Sequence, residues 1–547
     1  MSIESLSFKK TLPQQEEEKK MEKEGIIPLE KLQEMALNKE QPRKKVLLVD
    51  GNITESQYQD DEYHLRLDNL GLRRIAGYLK KFGVDVNVIR LQNLAKEEGL
   101  SQLIDEAEVI GMSAQSTSVK DAFDFCRDIK RDHPEKTVIG GAEHFALDYD
   151  WILKNQDQTG IDACCVGQGE LPMLALSLGI LMEKVGSLAY EDKGLVYENS
   201  KKTMRNFPRL EEEASLEVLK PAPAASFENE VGEMPFLELD KHFENAGSTA
   251  TSTGCIHKCT FCTSDSFYGD YVSCLETAKA EILQMYNQGK DFMFVRDALL
   301  NAYSSHLESF LKFMREENLA HEKKIGWVAF MSVKGDEGRR RFKEMADAGC
   351  VEIAVGVEDV IGDRRNVKKG AKLETATAFI NEAKESVLVR TLLILGFANH
   401  YAYTREEMKD KMLSYMKSNP QALYRINILT PVVGTPDFKE YGFMNIEGQD
   451  PRQDISQFKK HDTMHGTIDP KKMYASLKVP VPEEKRWVKN PEDWEKLRDE
   501  IMKEYLESPE HQKFLETLKE KENLGRKGLL YEIAQDFKKL TLESVKK

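Results

Sequence analysis

Apolar and polar positions change their spacing at Lys45. Before it, Glu16-Glu-Glu-Lys-Lys-Met-Glu-Lys-Glu24 and its neighbours are charged throughout, so residues 1–44 read as a charged leader that cannot bury a core alone. After it, short apolar runs alternate with helical spacing. Lys45–Asp50, Asp85–Arg90, Glu108–Met112, Thr137–Ile139 and Ala163–Val166 read as strands. Leu65–Phe82, Val119–Arg131 and the segment from about Glu170 carry apolar residues at helical spacing. The alternation predicts a doubly wound, Rossmann-like parallel sheet over residues 45–185, with ligands received at the carboxyl ends of its strands.

Over residues 186–247 the pattern loosens into a linker, where Glu191-Asp-Lys-Gly194 predicts a hairpin turn and Lys220-Pro-Ala-Pro-Ala224 a stiff connector. A second alternation follows. Ser248–Ser252, Asp291–Val295, Ile325–Phe330, Val351–Val355, Leu388–Leu395 and Tyr424–Leu429 are six short β runs, each trailed by a helical pattern. They predict a partial (β/α)6 barrel over residues 248–444, with its chemistry at the carboxyl ends of the strands. Residues 445–547 read as a polar and helical C-terminal region, with His461 and His465 near its start. The fold class is α/β throughout.

Composition narrows the partners. A formal charge of -15 disfavours a nucleic-acid carrier, which needs a basic surface. Eight cysteines without paired spacing do not form a disulfide framework, and a reducing, cytoplasmic location is expected. The first residues lack a basic start followed by an apolar stretch, so no signal peptide is read. The longest apolar run, Leu388–Phe397, is broken by Arg390 and is too short to span a bilayer, so no integral membrane segment is expected.

Candidate chemistry begins with Gly254-Cys-Ile-His-Lys-Cys-Thr-Phe-Cys262, on the loop after the first barrel run. Three thiolates, Cys255, Cys259 and Cys262, can close around three irons of a [4Fe-4S] cubane and leave the fourth iron open. A zinc site is the alternative, but zinc wants four ligands and no second cysteine pair exists; His257 sits cramped between two thiols. The other five cysteines read as small buried hydrophobes. In the first domain, Gly111–Thr117, Gly140–His144 and Gly167–Glu170 follow strands. Their glycines either admit a flat ligand or make tight turns, and the Ser113 and Thr117 hydroxyls could bond a ligand's polar rim. In the barrel, Asp297 follows the second run and reads either as a ligand-facing carboxylate or as a helix cap. Tyr268, Tyr271, Trp327, Tyr403 and Tyr424 read as packing, with a place facing the barrel cavity as the alternative.

The cysteine triplet, with Phe261 just before its last member, resembles the radical SAM superfamily, in which the open iron binds S-adenosylmethionine (SAM). Residues 45–185 resemble the cobalamin (B12)-binding domain of one subgroup of that superfamily, through Leu70-Gly-Leu72, Gly111-Met-Ser113, Gly140-Gly141 and Gly167-Gln-Gly-Glu170 in order. Two departures stand out. The Asp-x-His-x-x-Gly motif of other cobalamin domains is missing after the first strand, so the resemblance implies no histidine beneath cobalt, and His64, His133 and His144 read as surface or loop residues. Gln168 also replaces the subgroup's usual Glu. Gly356-Val-Glu358 matches the family's Gly-x-Glu element, and Pro431-Val-Val-Gly-Thr-Pro436 its Pro-x-x-Gly-Thr-Pro loop.

The resemblance implies a [4Fe-4S] cluster on Cys255, Cys259 and Cys262. It implies cobalamin over Ser113, Thr117, Gly140, Gly141, Gly167, Gly169 and Glu170, and SAM near Gly356 and Glu358. The expected function is C-methylation of an unactivated carbon on a small-molecule, lipid or peptide substrate, with a reductase such as flavodoxin or ferredoxin as electron donor. A cobalamin-dependent radical cyclase or rearrangement enzyme is the alternative within the superfamily, and a non-catalytic cobalamin and cluster sensor the alternative outside it.

Overall fold

The computed structural model describes residues 25–38, 40–51, 69–91, 100–116, 118–199, 246–269, 271–334, 340–361, 372–441, 470–477, 479–490 and 492–520. Thr117, His64, His461, His465 and the 220–224 connector lie outside them. The described residues fall into two compact units, one between residues 25 and 199 and one between 246 and 520.

The first unit opens with helix α1 (Leu29–Leu37), whose Leu32 and Ala36 belong to this unit's core. Part of the charged leader therefore packs, because it carries one apolar stripe after Ile26. Strands β1 (Val46–Asp50), β2 (Val86–Arg90), β3 (Val109–Ser113), β4 (Thr137–Gly141) and β5 (Ala163–Cys165) are parallel, in the order β2-β1-β3-β4-β5. The order reverses between β1 and β3, which places a crevice at the carboxyl ends of these two strands. Every residue of β1 and β3 is buried, as expected for central parallel strands covered on both faces. Helix α2 (Leu70–Lys81) starts at the Leu-Gly-Leu stretch, capped by Asn69, whose Oδ1 accepts from the Leu72 N–H at 3.2 Å. Helices α3 (Val119–Asp132), α4 (Glu143–Leu147) and α5 (Glu170–Ser177) follow β3, β4 and β5. The Glu191–Gly194 turn joins antiparallel strands β6 (Leu188–Asp192) and β7 (Leu195–Glu198), which extend the same sheet past residue 185.

The second unit is an all-parallel sheet in sequential order: β8 (Ala246–Thr249), β11 (Phe292–Val295), β12 (Gly326–Met331), β13 (Cys350–Glu358), β14 (Leu388–Leu395) and β15 (Ala422–Ile428). Among the described residues β8 and β15 are its unpaired edges, the open arrangement of a partial barrel. The first strand ends earlier than the Ser248–Ser252 run suggests. Past Thr249 the chain turns away, and Ser252–Thr253 (β9) pairs antiparallel with Val272–Ser273 (β10), pinching the base of the cysteine loop. Helices α6 (Leu275–Asn287) and α7 (Ser304–Ala320) cover the early strands, and α8 (Arg405–Ser418) precedes β15.

Helix α9 (Glu492–Leu506), from the C-terminal region, packs on the outside of this sheet. Trp494, Leu497 and Ile501 join its core, and Tyr505 donates to the Ala422 carbonyl at 3.3 Å. Lys409 of α8 reaches Glu500 at 2.6 Å and Glu504 at 3.0 Å, and Lys417 reaches Glu504 at 3.0 Å. Such part-exposed pairs contribute little each, about 0–1 kcal/mol, so apolar burial fixes the helix and the charges set its register. Among the described residues no helix is long and apolar enough to cross a membrane.

Candidate cofactor sites

Cys255, Cys259 and Cys262 lie on the loop after β8, at the carboxyl end of the parallel sheet, and all three are part-exposed. Gly254 takes φ +79°, a left-handed turn that favours glycine and delivers Cys255 onto the loop. The Cys262 N–H donates to the Cys259 carbonyl at 3.2 Å, so the last two ligands share one turn. The Cys255 sulfur accepts from the His257 N–H at 3.4 Å, while the His257 ring meets the Ser332 hydroxyl at 3.2 Å, an alternative to metal ligation. Among the described residues no three His, Cys, Asp or Glu side chains converge closely enough to hold a metal ion. The donor set fits a cubane: three part-exposed thiols on one turn-rich loop. Elsewhere Cys126, Cys164, Cys165 and Cys350 are buried, and burial pushes the Cys165 thiol up to about 12, which leaves it protonated and inert.

The loop's stem is held from below. Asp297, fully buried just past β11, accepts from the Thr251 N–H at 2.6 Å, the Thr251 hydroxyl at 2.5 Å and the Ser252 hydroxyl at 2.6 Å. The Thr251 hydroxyl, having given its proton to Asp297, accepts from His306 Nε2 at 2.8 Å, and Ser273 donates to His306 Nδ1 at 3.2 Å. Burial lowers the His306 pKa against the pull of Asp297, and in the neutral ring so favoured Nδ1 is free to accept from Ser273. One strand turn earlier the Thr249 hydroxyl donates to buried Glu281 at 2.5 Å. Asp297 is thus neither helix cap nor ligand-facing carboxylate; it clamps the stem of the cysteine loop.

The Pro431–Pro436 loop also touches the cysteine loop. Ser266 donates to the Gly434 carbonyl at 2.8 Å, and the Asp437 N–H donates to the Thr260 carbonyl at 3.1 Å. Burial raises the Asp437 carboxyl, opposed by a hydrogen bond with Thr260. Phe261 packs edge-on against Phe397, beyond β14, at 5.8 Å between ring centres. Gly356 lies in β13 beside Leu392, and the register slips between Gly356 and Glu358, which ends the strand with a buried carboxylate at φ +65°. Earlier on the same two strands Arg390 pairs with Glu352 through two contacts, at 2.6 and 3.0 Å. Trp327 and Tyr424 are fully buried and pack, whereas Tyr268 is half-exposed.

In the first unit, the polar residues gather at the crevice. Ser113 ends β3; Asn69 Nδ2 donates to its hydroxyl at 3.1 Å and to Asp50, at the end of β1, at 3.2 Å. Arg90, ending β2, lies 3.6 Å from Asp50. The glycines separate by role. A Cβ on Gly140 would stand 2.2 Å from the Phe145 ring, and one on Gly169 2.5 Å from Ile75, so both serve close packing. A Cβ on Gly141 would meet nothing nearer than 3.7 Å, so its bare backbone answers no demand of the protein itself. Gly167 leads into α5, which Glu170 opens. Burial raises the Glu170 carboxyl and pushes Glu143, beside Gly141, up to about 7. His144 is no surface residue: it is buried, with Nδ1 2.9 Å from the Ser116 hydroxyl and its ring against Phe123. His133 is part-exposed near Asp105 at 3.5 Å. The Asn69 bridge and the Asp297 clamp went unread in the sequence; an Asn just before a helix was the one available signal.

The crevice at the β1/β3 reversal and the cysteine loop of the open parallel barrel each stand at the carboxyl ends of their own parallel strands. The family model of the B12-binding domain matches residues 61–177. Among characterised proteins, the chain is 22% identical over 435 residues to cytidylyl-2-hydroxyethylphosphonate methyltransferase from Streptomyces wedmorensis, covering 69% of this chain and 79% of that one. Its fold matches that of the radical SAM methyltransferase TsrM from Kitasatospora setae, solved with cobalamin and a [4Fe-4S] cluster, with a TM-score of 0.55 at 16% identity over 73% of this chain and 74% of that chain. A second TsrM structure, holding tryptophan and the SAM analogue aza-SAM, gives 0.54 at 16% identity over 72% and 75%.

Proposed function

We propose that this chain is a cobalamin-dependent radical SAM methyltransferase that methylates an unactivated carbon of a small molecule. The observation that carries the reading is the loop of three part-exposed thiols, held by Asp297 at the carboxyl end of the barrel and preceded in the chain by a B12-binding domain. When bound, the cluster supplies the electron that splits SAM and cobalamin supplies the methyl group.

The chain's own residues bind and orient. Cys255, Cys259 and Cys262 would hold three irons, and the Asp297 clamp fixes the loop that presents them. The Glu358 carboxylate, at the end of β13, accepts hydrogen bonds from a ribose hydroxyl of SAM, with the Gly356 backbone alongside. Ser113, Thr117, Gly141, Gly167 and Glu170 would form the cobalamin cradle, in which Gly141 lets the corrin approach the backbone, while Gly140 and Gly169 serve it by letting Phe145 and Ile75 pack closely. Burial pushes the Glu143 carboxyl up to about 7, so its protonated form could donate to an amide oxygen on the corrin rim, and burial shifts Glu170 in the same direction. A reductase of the flavodoxin or ferredoxin kind delivers the electron. The cofactors would sit on the α/β domain of residues 45–185, whose sheet continues to Glu198, and on the barrel of residues 248–444, whose first strand opens at Ala246, and a cytoplasmic location follows from the oxygen sensitivity of the cluster.

The test is anaerobic turnover of the reconstituted full-length protein with SAM, cobalamin and reductant, with both SAM products measured by mass spectrometry. Methylation predicts S-adenosylhomocysteine together with 5′-deoxyadenosine. Deoxyadenosine alone would replace the reading by cyclisation or rearrangement, and neither product would replace it by a sensor.

A further inference from the structure

Glu358 sits at the apex of a three-residue turn: its φ is +65°, and the Asp359 N–H donates back to the Val357 carbonyl at 3.0 Å. A γ-turn with a positive apex is rare and strained, more so for a residue with a side chain. Something must hold it, and the residue next in sequence does. Asp359 is buried, and its Oδ1 accepts from the Ile361 N–H at 2.7 Å and from His400 Nε2 at 3.0 Å. Its Oδ2 accepts from Asn399 Nδ2 at 3.0 Å. His400, fully buried in the turn after β14, accepts at Nδ1 from the Gly396 N–H at 3.2 Å. That acceptor role leaves the ring proton on Nε2, aimed at Asp359. Burial alone would raise the Asp359 carboxyl, but the His400, Ile361 and Asn399 hydrogen bonds outweigh it and hold the group ionised well below its ordinary range.

Ring contacts brace the same histidine. Phe397 stands edge-on at 5.5 Å and Trp494 of α9 at 6.2 Å, so α9 backs the turn that carries His400. Two loops 41 residues apart in sequence are thus joined by one charged hydrogen bond at the catalytic end of the barrel. Neither side chain has a role in the proposed chemistry.

We propose that Asp359 and His400 are positioning residues, a buried clamp that keeps Glu358 in its strained turn so that its carboxylate is presented to SAM. The inference rests on the reading that Glu358 meets SAM, and the test separates the two. SAM binding is titrated on the anaerobically reconstituted full-length protein, with iron and cobalamin content measured on the same samples. His400→Leu, which removes the donor, is expected to weaken SAM about tenfold, a loss in keeping with releasing strain of this kind, with both cofactor contents unchanged. His400→Gln, which keeps an N–H donor near the place of Nε2, is expected to restore most of the affinity. Asn399→Ala, which removes one part-buried hydrogen bond, is expected to weaken SAM a few-fold and decides the matter where His400→Leu does not fold. Wild-type affinity in His400→Leu or Asn399→Ala, beside a weakened Glu358→Gln, overturns the clamp and leaves the reading of Glu358 intact. Wild-type affinity in Glu358→Gln overturns that reading and the clamp with it. Parallel loss of iron or cobalamin in His400→Leu makes the pair a support of the fold and overturns its positioning role.

Discussion

A single buried carboxylate can shape a loop to which it does not belong. Asp297 is 45 residues from Ser252, yet its two oxygens take up the backbone and both hydroxyls at the stem of the cysteine loop. In Asp297→Asn one oxygen becomes an NH2 group facing hydroxyls whose protons were committed to it. Hydrogen bonds to charged groups contribute about 1.5–3 kcal/mol each, so the variant should lose on the order of 2 kcal/mol of stability in the barrel unit. It should retain less iron while keeping its cobalamin. Thermal melting with iron and cobalt analysis checks this, and wild-type iron content would show that the stem does not govern the cluster loop. Residue-scale contacts of this sort were the least legible part of the chain. The three thiols announce themselves by spacing, but Asp297–Ser252 and Asp359–His400 join distant loops, where no local periodicity records that two side chains will meet.

Elements were legible where burial is continuous. β1 and β3 are buried at every position, and such strands stand out as unbroken apolar runs. The six barrel strands likewise lie on or beside their six runs, and the Glu191–Gly194 turn is a hairpin as its composition implies. Misreadings arose at element ends. The Ser248–Ser252 run splits into β8 and β9 because the hydrogen bonds it donates to Asp297 and pairing with β10 redirect it, and neither is a property of the run itself. Glycines after strands present the same problem, since packing and ligand approach leave one signature in sequence. Their substitution separates them. Gly140→Ala drives a methyl into Phe145 and should destabilise the α/β unit by about 1–3 kcal/mol. Gly141→Ala meets no protein atom within 3.7 Å and should melt like the wild type, yet bind cobalamin more weakly. Melting curves and the visible absorbance of bound cobalamin distinguish the two, and full cobalamin binding by a normally folded Gly141→Ala would remove Gly141 from the cradle.

At the scale of the whole molecule, each unit brings its parallel strands to a carboxyl end furnished for a ligand. The first offers a crevice bordered by Ser113, Asn69 and a bare Gly141; the second offers three thiols and the Glu358 turn. The charged C-terminal helix α9 serves the second by backing the His400 turn. The account stands on these two ends holding two different metals. Metal analysis with electron paramagnetic resonance of anaerobically purified, dithionite-reduced protein tests it most directly. The expected result is about four iron and one cobalt per chain, with a reduced-cluster signal that changes on adding SAM and vanishes when Cys255, Cys259 and Cys262 are replaced by alanine. A protein without iron, or one whose cluster signal survives loss of all three thiols, would contradict it.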